Sequence, residues 1–216
     1  MVLPQTPPCR SQNLNMPNPR HPSRVRLLDA ALQLIRTKGY AATTVDDVCE
    51  AAGVTKGSFF HHFKGKEDLA IAATAHWNEL TGGAFANAPF RRLADPRDRV
   101  LGYIDYRAAL LTGELPDFTC LLGTMVQETF ETHPAIRDAC RHGIELHATT
   151  VAADLAEAKA KYAPQADWSP QSLALYTQAV LQGAFILAKA TQGPAVASDC
   201  IDHLKRHVAS LLAPRP

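Results

Sequence analysis

Residues 55–66 read TKGSFFHHFKGK and concentrate side chains suited to gripping a polyanion. Thr55, Lys56, Gly57 and Ser58 put two short hydroxyls, an ammonium group and a bare stretch of backbone at a helix N-terminus. There the free N–H groups and the helix dipole favour a phosphate. His61, His62 and Lys66 follow on the same segment. These groups bind; they break no bonds. A different chemistry is open to Cys120, in the run FTCLLG followed by Met125-Val126-Gln127-Glu128. A thiol becomes a nucleophile when a helix N-terminus or a cation lowers its pKa, and a helix starting near Thr119 would supply the first. The plainer reading is a buried, inert thiol. Cys200, His203 and His207 fall at i, i+3, i+7, one face of a helix. No matching cluster accompanies them, so they read as solvated or dimer-facing surface, and no metal or other cofactor is expected. His142 and His147 carry no pattern, and Cys49 reads as a small core residue. The chain has no Gly-rich phosphate loop, GxSxG, HExxH or paired metal carboxylates. A binding protein, not an enzyme, is the reading that follows.

The polyanion-binding residues need a frame. From Ser23, a candidate N-cap, Val25, Leu28, Leu32 and Ile35 repeat at helical spacing, and Lys38-Gly39 closes that helix. Thr43 or Thr44 can cap a second helix, with Asp46 and Asp47 in its first turn and Val45, Val48 and Ala52 facing inward. Ala51 and Ala52 are small enough for two helices to approach, Gly53 supplies the turn, and Val54 fills the angle. Thr55 caps a third, short helix through about residue 63, anchored from behind by Phe59 and Phe63 at i, i+4. Gly65 breaks it, and Lys66-Glu67-Asp68-Leu69 opens a longer fourth. Helix, tight turn and short second helix form a helix-turn-helix, whose second helix can lie in the DNA major groove.

Composition agrees. The 216 residues carry 22 Lys+Arg and 21 Asp+Glu, a net charge of +1 that hides an asymmetry. Residues 1–66 sum to +5 and the remainder to −4. A basic module on an acidic body suits a polyanion partner. Apolar residues make up 46% and charged residues 20%, which suits a packed globular chain. No uncharged apolar run approaches a membrane span, and no signal peptide is visible. Five dispersed cysteines without a CxxC pair read as reduced thiols in a cytoplasm. Six prolines in residues 1–22 read as a disordered tail, with Met16 an alternative start. Beyond it the chain is Ala-rich, punctuated by Gly and Pro, and reads as about nine helices in all.

The stretch 24–69 resembles the TetR family of bacterial transcriptional regulators. The resemblance rests on Ala51-Ala52-Gly53-Val54, Thr55-Lys56-Gly57-Ser58, Phe59-Phe60, His62-Phe63 and Lys66-Glu67-Asp68-Leu69, with Gly39-Tyr40 and Thr43-Thr44-Val45 upstream. One position departs: residue 60 is usually Tyr, whose hydroxyl would bond a phosphate, and Phe60 can only pack on the backbone edge. The resemblance implies an all-α fold. It divides into a three-helix DNA-binding domain over 23–69 and a helical ligand-binding and dimerisation domain over 70–216. It also implies Thr44, Thr55, Lys56, Gly57, Ser58, Phe60, His61, His62 and Lys66 as DNA-facing positions. Among these, Lys56 and His61 are expected at base edges, and Thr44, His62 and Lys66 at phosphates. Arg24 and Arg26 can reach backbone or stay solvated.

In the body, an effector pocket implied by the resemblance has candidate lining residues Trp77, Tyr103, Tyr106, Phe118, Cys120 and Tyr176, with Phe85, Met125, Phe130 and Phe185 beside them. Each is equally a core residue by type. Residues 171–190 and 198–212 are expected to form a homodimer interface through Leu173, Tyr176, Val180, Gly183, Phe185 and Leu187, and through Ile201, Leu204, Val208, Leu211 and Leu212. A twofold dimer implies a near-palindromic operator in double-stranded DNA. The function so implied is a repressor released by a small-molecule effector. The alternative signal is modification of Cys120.

Overall fold

Helix termini marked by local chemistry set the frame. The computed structural model describes residues 22–213. Among these lie ten α-helices, one 3-10 turn and no strand. They are α1 (Pro22–Lys38), α2 (Val45–Ala52), α3 (Lys56–His62), α4 (Lys66–Ala86), the 3-10 turn Pro89–Arg92, α5 (Pro96–Ala109), α6 (Leu115–Phe118), α7 (Leu121–Thr129), α8 (Pro134–Tyr162), α9 (Pro170–Thr191) and α10 (Ala195–Leu211). The expectations for the tail, apart from Pro22, for Met16 and for Cys9 lie outside the described residues. Pro22, read as tail, is instead the first residue of α1.

Ser23 is not the N-cap expected of it. It lies inside α1, and its hydroxyl is hydrogen-bonded to His62 Nε2 at 2.6 Å. Between the two candidate caps of α2 the structure selects Thr44. Its hydroxyl accepts the Asp47 N–H at 3.1 Å while the Asp47 carboxylate accepts the Thr44 N–H at 2.7 Å, a complete capping box. Thr43 is buried and donates to Gly39 O. Gly53 ends α2 at φ 60°, the left-handed geometry that glycine adopts without strain. Thr55 caps α3 by accepting the Ser58 N–H at 3.2 Å.

Two cores result. The first joins Leu27, Leu28 and Ile35 of α1, Val48 of α2, Phe59 of α3 and Leu69 of α4 to Leu121 and Met125 of α7 and Ile136 of α8. The N-terminal head is therefore packed onto the body. Helix α4 also runs unbroken through residue 69. Met125 belongs to this core, and Phe130, grouped with the pocket candidates, is exposed. A carboxylate adds a polar tie: Glu128 of α7 accepts the Ala41 N–H at 2.7 Å, beside Gly39. A Cβ on Gly39 would push the Glu128 carboxylate aside, and the backbone there has φ 87°, which favours glycine.

The second core fills the body with Tyr103 and Ile104 of α5, Leu155 of α8, Leu181 and Phe185 of α9, and Ile201, Leu204 and Val208 of α10. This corrects part of the expected dimer interface. The apolar stripe of α10 closes the monomer core, as do Leu173 and Phe185. What α9 leaves outside is Leu175, Tyr176, Ile186 and Leu187, each 44–48% exposed. By length and composition α9 is apolar enough to cross a membrane. Here its apolar residues divide between the core and this outer face.

Candidate functional site

Phe59 is 0% exposed and packs against Phe63, with ring centroids 5.7 Å apart, and edge-on against Phe60 at 5.2 Å. That anchor turns the opposite side of α3 outward. Thr55, Lys56, Gly57, Phe60 and His61 are exposed there, and Ser58 and His62 half-buried. Phe60 is 58% exposed, far more than an apolar ring needs unless something covers it. A shallow depression lined by Thr44, Val45, Asp46, Lys56 and Phe60 joins the start of α2 to the start of α3. The hydroxyls of Thr44 and Thr55 each hold a cap bond and remain at the surface.

Lys56 lies in an ion pair, Nζ to Asp46 Oδ1 at 2.8 Å, and this partner holds its pKa above the ordinary lysine value. Both groups are exposed, so the pair is weak and a phosphate or a base acceptor can replace the carboxylate. His61 points to solvent beside His62. His62 is tied to Ser23 of α1 and so positions α3 against α1. Lys66 departs from its expected role at a phosphate. Its ammonium donates to Tyr40 O at 2.9 Å and Ala41 O at 3.2 Å and sits over the Tyr40 ring; burial pushes its pKa down. It fixes the turn between α1 and α2. Arg24 stacks on Phe63 at 5.3 Å.

A cavity of about 360 Å³ lies in the body. Of the expected lining residues, Trp77, Phe85, Phe118, Cys120 and Phe185 border it. Tyr103 stands behind its wall, fully buried, its hydroxyl accepting from Gln178 Nε2 at 3.1 Å and paired with His147 Nε2 at 3.0 Å. Tyr106 packs on Phe85 and Phe90. Tyr176 is not a pocket residue: it is on the outer face of α9, edge-on to His207. Cys120 precedes α7 and also borders a second cavity of about 240 Å³ with Glu128, Gln182 and Lys189. No group of three metal-ligating side chains forms among the described residues.

Sequence reading missed Arg36, Arg107, His147 and Gln178, which all border the larger cavity. His147 and His142, the two histidines within the 29 residues of α8, stand five apart and show no spacing that announces a site. Burial, reinforced by the charges of Arg107 and Arg91, pushes the His147 pKa down to about 3. The unfolded chain takes up this proton near the ordinary value of 6.5, and the folded chain does so only near 3. The unfolded state thus binds more protons across that window, and stability is lost as pH falls through it. Urea unfolding should show about 1–2 kcal/mol lost to His147 between about pH 6.5 and 5. His147→Gln should remove that part of the slope; an unchanged slope would contradict it.

A family model described as bacterial regulatory proteins, tetR family, matches residues 27–73, and one described as tetracyclin repressor-like, C-terminal domain, matches residues 96–204. The chain belongs to the TetR family. Among curated relatives, the transcriptional regulator AcuR of Cereibacter sphaeroides is 30% identical over 203 residues, covering 88% of this chain and 89% of the relative. The transcriptional repressor KstR2 of Rhodococcus jostii is 48% identical over 46 residues, 21% of this chain and 22% of the relative. The crystal structure of a regulatory protein TetR from Rhodobacter sphaeroides superposes with a TM-score of 0.77 at 25% identity, covering 86% of this chain and 98% of that one. TetR proteins are transcriptional regulators and not enzymes. This chain is thus a DNA-binding regulator with the helix-turn-helix on α2 and α3.

Proposed function

We propose that this TetR-family chain is a repressor that binds a near-palindromic operator as a homodimer and leaves it when a small molecule fills the body cavity. The observation that carries the reading is the outward face of α3, held by Phe59 and joined to the Thr44 cap of α2. Lys56 and His61 read base edges; Thr44, Thr55 and Ser58, with the free backbone at Gly57, hold phosphates. Phe60 packs on the sugar-phosphate edge. His62 and Lys66 hold the head in shape. Two copies join through the outer face of α9, which is apolar and unpaired in the single chain. Its place of action is the cytoplasm, with the DNA. The cavity wall includes Arg36, a residue of α1, so an occupant touches the DNA-binding head directly. An effector acts by binding one spacing of the heads better than the other.

Lys56→Ala tests the reading helix. Fluorescence anisotropy on the operator should show a loss of about 1–3 kcal/mol, or about 10- to 100-fold in affinity, with unchanged far-UV circular dichroism. Unaltered affinity would remove Lys56 from the interface.

A second reading makes Cys120 the switch. It is favoured by the position of the thiol at the start of α7, between two cavities that also hold Arg36 and Lys189. A Cys120→Ser protein that still releases DNA after treatment with an alkylating agent rejects it.

A further inference from the structure

We propose that the larger cavity takes a small organic anion, a carboxylate on an apolar body, and that Arg107 is its counter-ion; this rests on the reading of that cavity as the effector site. The half-buried Arg107 guanidinium lies 5.3 Å from the Phe85 ring centroid and 5.6 Å from that of Phe185. Among the described residues no hydrogen bond or ion pair engages it. Elsewhere in the body the pattern is the opposite: Arg91 and Arg99 both meet the nearly buried carboxylate of Asp154, and Arg99 also meets Glu157. A guanidinium at the cavity wall with no carboxylate beside it has its charge unmatched by the protein, and two ring faces answer it only in part. The rings also fix its position and leave the planar fork of N–H donors for a bidentate acceptor.

The remaining wall fits the same ligand. Arg36 is a second cation. Its guanidinium lies over Trp77 at 5.0 Å and donates to Leu32 O, to Asp117 O and to Gln33 Oε1, with no carboxylate among its hydrogen-bond partners. The one acidic residue bordering the cavity, Asp117, has its Oδ2 engaged by the Glu114 N–H. Two guanidinium groups against one carboxylate leave the wall positive. His147 adds no charge because burial keeps it neutral, and it stays a hydrogen-bonding group for a ligand oxygen. Trp77, Leu80, Phe118, Leu122 and Ile144 supply an apolar lining for the rest of the molecule. The volume, about 360 Å³, is at the small end of ligand cavities.

Isothermal titration of the full-length protein with benzoate and hexanoate, against the neutral isosteres benzamide and hexanamide, tests this. Each acid should bind at least about tenfold more tightly than its amide. In Arg107→Met, with native far-UV circular dichroism, that preference should fall to near one, and Arg107→Lys should retain part of it. Should Arg107→Met fail to fold, Arg107→Gln reads the same preference. Amides that bind as tightly as acids, no binding by either pair at millimolar concentration, or an acid preference that survives loss of the guanidinium would each overturn the proposal. Operator release, followed in parallel by anisotropy, separates this from the effector reading. Arg107-dependent acid binding that leaves DNA affinity untouched supports the anion site and removes the effector role. Release driven equally by the amides removes the anion site and keeps the effector role.

Discussion

Phe59→Ala should cost about 3–5 kcal/mol of stability and abolish operator binding at concentrations where the parent protein saturates. Phe59 is wholly buried and is the apolar anchor of α3, against Phe63 and in one core with the α1 residues Leu27 and Leu28. Seven residues make too short a helix to persist by itself in water, so α3 exists because this ring is inserted behind it. Truncation to alanine leaves a void where the ring stood and removes the reference that turns Lys56 and His61 outward. Denaturant unfolding should show the lower midpoint. A variant with the parent's midpoint and affinity would mean that α3 is positioned by something else.

Ile186→Glu together with Leu187→Glu should split the proposed dimer and lower operator affinity by about 10²- to 10⁴-fold. Ile186 and Leu187 are 48% and 45% exposed on the single chain, continuous with Leu175 and Tyr176 along α9. In the proposed dimer, burying such residues between two copies supplies the hydrophobic driving force, and a carboxylate at each position would have to be desolvated unpaired. The heads stay intact in this variant; only the linkage of two half-site contacts is lost. Sedimentation should report one chain where the parent reports two. A doubly charged variant that remains paired and tightly bound would place the twofold contact elsewhere.

The head was legible in the sequence because its determinants are local. The Thr44 capping box, the Gly53 turn and the Thr55 cap each lie within a few residues of the backbone groups that they satisfy, and the i, i+4 spacing of Phe59 and Phe63 fixes the buried face of α3. What spacing does not state is the partner. The stripe of Ile201, Leu204 and Val208 would read the same on a dimer face as on the monomer core, where it lies. Tyr176, one residue from the exposed Leu175 and one from the buried Thr177, turned out rather than in. Lys66 follows Gly65 as a surface lysine would, and only the fold brings the Tyr40 and Ala41 carbonyls to it. The cavity was the least legible feature. Arg36, Arg107, His147 and Gln178 come from α1, α5, α8 and α9, with further lining from α4, α6 and α7, and no periodicity within one helix signals a wall assembled from seven.

In the proposed complex α3 sits in a major groove and is presented twice by a symmetric pair. Selection of bound duplexes from a random pool tests it most directly. The enriched sequences should contain two inverted copies of one short motif, centred about 34–36 Å apart or slightly more along the duplex, and Lys56→Ala should erase the enrichment. A pool that stays random, or one that yields a single unrepeated motif, would contradict the account.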